Sequence, residues 1–150
     1  MGLDMYLAKK TYVKNWDHQE KHHKITVEYD GKIRTDIKPE RISYIVEDIM
    51  YWRKENAIHA WFVENCQEGE DDCRESYVTA EDLTKLADLC DLVLESKDGE
   101  LLPTQGGFFF GGTEYDEYYF EAIEETAKVL REELNSNTEE YPTYYYHSSW

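Results

Sequence analysis

Tyr51-Trp52-Arg53-Lys54-Glu55-Asn56-Ala57-Ile58-His59-Ala60-Trp61-Phe62-Val63 is the stretch on which the reading of this chain turns. It combines two tryptophans and a phenylalanine with an arginine, an asparagine and a histidine, so a core element and any polar site have to meet there. Drawn as a helix, its apolar residues cover most of the surface, which predicts a helix from about Tyr51 to Cys66 buried on several sides. Polar residues on such a helix need partners. Arg53, Asn56 and His59 are spaced i, i+3, i+6 and share one face, where a guanidinium fork, an amide and an imidazole can converge on an anionic or amide-rich ligand. Trp52 and Lys54 would add a stacking surface and a second cation. The competing reading is structural: Asn56 and His59 satisfy buried backbone groups, and Arg53 pairs with an acidic loop residue such as Asp72.

Working outward, Leu3, Met5 and Leu7 alternate with Asp4, Tyr6 and Ala8, the period of a half-buried strand. A polar loop from Lys14 to His23 follows. Ile25, Val27 and Tyr29 then run into Asp30-Gly31 and return through Ile33, Thr35 and Ile37, a β-hairpin with a type I′ turn. Ile42 to Glu47 reads as a further strand from its β-branched and aromatic content. Beyond the central stretch come an acidic loop, Glu68 to Glu75, and a short extended piece at Tyr77-Val78. Thr79 opens a capping-box-like Thr-Ala-Glu-Asp, and Leu83, Leu86, Cys90 and Val93 follow at helical spacing to about Ser96. Asp98-Gly99 turns the chain, and Leu101-Leu102-Pro103 is read as extended. Thr113 is placed to cap a third helix, the longest and most acidic, whose buried stripe is Tyr119, Ile123, Thr126, Leu130 and Leu134. The aromatic tail from Tyr141 to Trp150 predicts a terminal strand at Thr143 to Tyr146. Together these describe one α+β domain over residues 1–150: a small, mainly antiparallel sheet packed against three helices.

With 150 residues, 41% hydrophobic and 15% aromatic, the chain can bury a substantial core despite its 33% charged residues. The formal charge of −17 is unevenly placed. Residues 1–60 hold 11 Lys/Arg and 10 Asp/Glu, whereas residues 61–150 hold 5 and 23. An acidic field of that size repels nucleic-acid phosphates and anionic membranes and suits a basic protein surface. Neither a nucleic-acid nor a membrane partner is expected. Cys66, Cys73 and Cys90, with no secretory leader in view, are expected as reduced thiols in a cytoplasm.

Other candidate chemistry is thin. Gly106 to Thr113 has the spacing of a phosphate loop but Gly112 stands where the lysine belongs, and Glu114, Asp116 and Glu117 would repel phosphate. The loop is better read as an apolar segment that closes over a pocket or meets a partner, with Phe109 and then Tyr115 as further ligand-binding candidates, or as a turn whose phenylalanines are core. His18, His22, His23, Cys66 and Cys73 match no zinc spacing, so no metal and no cofactor are expected. A thiol nucleophile from Cys66 or Cys73 with His59 or His147 lacks local support, because the surrounding acids raise a thiol pKa. No catalytic set stands out, and His59 is the single candidate acid or base.

Met1-Gly2-Leu3-Asp4-Met5-Tyr6-Leu7, the central Tyr51-Trp52-Arg53-Lys54 with Asn56, Ile58, His59, Trp61 and Phe62, Asp72-Cys73, and Leu101-Leu102-Pro103-Thr104 through Gly107-Phe108-Phe109-Phe110-Gly111 to Tyr115-Asp116 resemble a group of functionally uncharacterised small proteins encoded by bacteriophages and prophages. The resemblance spans most of the chain and implies expression in the bacterial cytoplasm during phage growth. The function expected from all of this is a non-catalytic accessory protein, binding a host protein or a small anionic, nucleotide-like ligand and countering host defence. Two alternatives stand beside it. One is a small hydrolase or transferase using His59. The other is an assembly role through the aromatic tail, in which case loss of Tyr144 to Trp150 should change a homo-oligomeric state without abolishing folding.

Overall fold

The computed structural model describes residues 2–19, 24–138 and 142–150. Among them, strands β1 (Asp4–Tyr12), β4 (Tyr44–Arg53), β5 (Ser76–Val78) and β6 (Thr143–Ser149) form a sheet in the order β4-β1-β6-β5, antiparallel at every pairing. A separate two-stranded hairpin joins β2 (Glu28–Tyr29) to β3 (Lys32–Ile33). Helices α1 (Asn56–Cys66), α2 (Ala80–Ser96) and α3 (Glu117–Ser136) complete the α+β architecture expected from the pattern.

Alternation decides which side of the sheet is core. Met5, Leu7, Trp52, Tyr144 and Tyr146 face inward and join Ile58 and Phe62 of α1, Leu83 and Leu86 of α2, and Ile123 and Leu130 of α3 in one cluster. All three helices therefore contribute to one layer on one side of the sheet. Two polar groups on this face are satisfied within it: the Trp52 indole donates to Thr126 Oγ1 at 2.8 Å, and Lys9 reaches Glu133 at 3.0 Å and Asn137 at 2.7 Å. Among the described residues no helix packs on the opposite face, which is lined by tyrosines.

Several boundaries differ from the sequence reading, each for a local reason. The central helix begins at Asn56, because Tyr51 to Arg53 pair with Tyr6, Met5 and Asp4 as the end of β4. The strand expected over Ile42 to Glu47 is thus part of a longer one. Asp116, not Thr113, caps α3, its side chain accepting from the Tyr119 amide. Leu101 belongs to a 3-10 turn, Gly99–Leu101, rather than to an extended segment. In the β2–β3 hairpin the turn residues Asp30 and Gly31 both take positive φ, 51° and 74°, as a type I′ turn requires, but the paired arms are two residues long. The Lys14 to His23 loop lies partly outside the described residues.

The aromatic tail is an internal strand rather than a surface appendage. β6 runs from Thr143 to Ser149 between β1 and β5, with Tyr144 and Tyr146 fully buried. Removing Tyr144 to Trp150 would take out the middle of the sheet, so its loss would unfold the domain instead of merely changing assembly.

α2 opens with the reciprocal capping box foreseen at Thr79, where Asp82 returns the hydrogen bond to the Thr79 amide, and closes on Lys97 at φ 56°. A lysine in that left-handed position carries a steric cost that glycine does not. Lys97→Gly should stabilise the protein by about 0.5–1 kcal/mol, a rise of about 2 °C in Tm by thermal denaturation, whereas Lys97→Ala should give no gain.

Candidate functional site

The link between β4 and α1 is made without glycine. Lys54 turns the chain at φ 56°, Glu55 takes the N-cap position with no side-chain cap bond, and Asn56 enters the core 3% exposed. A buried amide needs its donors and acceptor occupied. Asn56 Nδ2 donates to the carbonyls of Phe110 at 2.9 Å and Gly112 at 2.8 Å, while its Oδ1 accepts from the Gln105 amide at 2.9 Å. One side chain thereby fixes the glycine and phenylalanine loop against the start of α1. Of the three phenylalanines, Phe110 is buried, Phe109 is partly so, and Phe108 stands 94% exposed.

One turn further on, His59 is 1% exposed and uses both ring nitrogens. Nδ1 lies 2.6 Å from the Tyr146 hydroxyl and Nε2 lies 2.9 Å from Asp71 Oδ2. Trp150 donates from its indole to Asp71 Oδ1 at 3.1 Å and stacks over Phe109. Burial holds the Tyr146 hydroxyl far above the usual tyrosine range. It also pushes the Cys66 thiol up to about 12, so neither group is set up as a nucleophile at neutral pH.

The sequence-predicted ligand residues do not converge. Trp52 is core, bonded to Thr126. Arg53 lies on the far side of the sheet and pairs with Asp4 at 2.7 Å, not with Asp72, whose neighbour is Arg74. His59 is enclosed by Tyr146, Asp71 and the edge of Phe110. Phe109 packs on Trp150, and Tyr115 packs against Tyr119 over Gly99. A strand ending at Arg53 breaks the helical spacing on which the shared face depended. Of these residues, Lys54 and Asn56 line a common cleft, of about 230 Å³, at the start of α1.

That cleft is acidic. Glu55, Glu114 and Asp116 line it with Tyr118 and Thr104. Burial, then the neighbouring Asp116 carboxylate, raises Glu55 from 4.5 to about 7. An anionic ligand would meet carboxylates there. Among the described residues no group of three or more His, Cys, Asp and Glu side chains could hold a metal ion, and His22 and His23 lie outside those residues.

The open face of the sheet is a surface that no single stretch of sequence reveals. Strand register places Tyr51, Tyr6 and His147 in one row across three strands, and Tyr145 and Tyr77 side by side in the next. Tyr6 stacks on His147 at 4.7 Å and approaches Tyr51 at 5.4 Å. Its charges are mutually paired: Arg53 with Asp4, and Lys10 with Glu75 at 2.8 Å. The Tyr51 hydroxyl donates to Asp4 and, with Arg53, holds that carboxyl below the usual range. The signal was present in the second phase of each alternation, Tyr6-Ala8-Lys10-Tyr12 and Tyr145-His147, but only the register joins the strands.

Compared with known proteins, the chain matches no protein-family model, no curated protein and no solved structure.

Two measurements follow from this geometry. Since Glu55 titrates near 7 folded and near 4.5 unfolded, the folded state holds the extra proton between those values, and stability falls as pH rises through that window. Glu55→Gln should therefore exceed wild type by on the order of 1 kcal/mol at pH 8 and by nothing at pH 4 in urea unfolding, with solvent screening and the α1 dipole limiting the gain. Tyr146→Phe leaves a buried imidazole nitrogen without its partner and should cost about 1–3 kcal/mol in the same assay.

Proposed function

We propose that this protein is a non-catalytic accessory protein of phage or prophage origin that engages a basic surface of a host protein through its helical layer. The observation that carries the reading is the placement of the carboxylates. α2 and α3 hold 11 Asp and Glu, five and six respectively, against three Lys and Arg. Glu81, Asp88, Asp91, Glu121, Glu124 and Glu125 point to solvent on the side away from the sheet. Arg131 bridges Asp88 and Asp91 at 2.6 and 2.7 Å, tying the two helices together while leaving the layer strongly negative. Such a surface offers what a phosphate backbone offers a basic protein, closely spaced anions on a rigid support. Countering a host defence protein that works on nucleic acid is one role this chemistry suits.

The protein-partner reading gains over the nucleotide-like ligand because Trp52, Arg53, His59 and Phe109 are dispersed, and the cleft that retains Lys54 and Asn56 is lined by carboxylates. A second reading, a small hydrolase or transferase, rests on Glu55 rather than His59. A carboxyl near 7 beside a second carboxylate is an arrangement for proton transfer at neutral pH.

The decisive test is capture from a bacterial lysate at low salt. A basic host protein should be retained and then released as salt rises, with affinity falling by on the order of tenfold from low to physiological ionic strength. The triple variant Glu121→Lys, Glu124→Lys, Glu125→Lys should lose the partner while keeping its far-UV spectrum and Tm. Retention by that variant would sink the reading. Turnover of a nucleotide or peptide substrate that vanishes in Glu55→Gln would replace it with the enzyme.

A further inference from the structure

Independently of the helical layer, we infer that the open tyrosine face of the sheet is a homotypic interface on which two copies of this chain pack back to back. A sheet needs both faces covered or one face polar. Here Tyr6, Tyr51, Tyr77, Tyr145 and His147 form an aromatic surface, with Tyr51 and Tyr77 each 53% exposed and, among the described residues, no helix over them. Tyrosine supplies large contact area at low conformational cost and keeps a hydroxyl for bonding across an interface.

Charge selects the occupant. The face's cations are matched internally, Arg53 by Asp4 and Lys10 by Glu75, and Lys10 also lies 4.2 Å over the Tyr145 ring. A single-stranded nucleic acid would need unmatched cations along its backbone, and a basic protein would be drawn to the helical layer instead. A second copy needs neither, because a surface whose charges are already paired can meet itself without leaving a charge uncompensated. Back-to-back packing also solves the problem set by the formal charge of −17, since it puts the two acidic helical layers on opposite outer sides. With stacked sheets about 10 Å apart and a helix layer on each, those layers sit about 30 Å from one another, several Debye lengths at physiological salt.

Area is sufficient. Strands of 10, 9, 7 and 3 residues, at about 3.3 Å per residue and about 4.8 Å apart, present roughly 460 Å² per face, so two faces bury on the order of 900 Å², the scale of a weak, reversible interface. The competing route, pairing through the exposed edge of β4, is guarded. Ala8 pairs with Asp48 where Leu7 pairs with Met50, so Ile49 bulges out of register beside the charged Glu47 and Asp48. Bulges and charges are how edges resist pairing.

The test is sedimentation of the purified full chain from about 1 to about 100 µM at low and high salt. Wild type should sediment at twice its 17.9 kDa mass in the tens of micromolar, and salt should leave the dimer intact or tighten it, opposite to the host complex proposed above. Tyr51→Glu with Tyr77→Glu should weaken self-association by at least roughly tenfold while the variant stays folded by its far-UV spectrum, and Tyr51→Phe with Tyr77→Phe should preserve it. A wild-type monomer at about 100 µM overturns the inference, as does a dimer unaffected by the paired glutamates; neither outcome touches the helical-layer reading.

Discussion

An imidazole taken fully out of water has to find partners for both nitrogens, and much of this molecule is arranged around that requirement. His59 meets it with a hydroxyl from the last strand and a carboxylate from the acidic loop, so α1, β6 and the segment around Asp71 are fastened at one point. The same loop carboxylate holds the Trp150 indole, which in turn lies over Phe109. Asn56, one turn earlier, binds the other end of that phenylalanine loop. Polar side chains that looked available for a ligand are thus the fastenings of irregular backbone to α1. A ligand would have to break them to gain access.

The two broad surfaces of the domain consequently differ in kind. The helical layer is anionic and rigid, with α2 and α3 cross-linked by Arg131. The sheet face is aromatic and close to charge balance. A partner held at the first would be governed by ionic strength and one held at the second by area removed from water, so conditions that weaken one would leave the other standing.

Much of the fold was legible because its signals are local. Leu3-Met5-Leu7 and Leu83-Leu86-Cys90-Val93 state their periods plainly, and Thr79 and Asp30-Gly31 mark boundaries with specific side-chain chemistry. The junction at Tyr51 to Glu55 was illegible for an equally physical reason. Aromatic residues suit strand and buried helix alike, Lys54 adopts a turn conformation usually given to glycine, and Glu55 is not a preferred cap. Misplacing that boundary put Arg53 on a helix face with Asn56 and His59, and the supposed ligand site followed from it. The tyrosine face needed the pairing of β1 with both β4 and β6, a long-range fact that no window of sequence contains. The chain's 13 tyrosines can be counted in the sequence, but the face that several of them share cannot be read there.

The place of β6 has a consequence for how the protein comes into being. Because residues 143–149 form the strand between β1 and β5, ribosomal synthesis can deliver β1, β4 and all three helices without delivering a sheet that closes. Until that strand emerges, β1 presents an open edge, β5 has no neighbour and His59 lacks Tyr146. Folding to the native sheet is therefore a late event dominated by contacts between distant parts of the chain, slow in kind and exposed to pairing with other nascent chains. The dense acidic charge of α2 and α3, already made by then, would oppose contact between such half-finished chains.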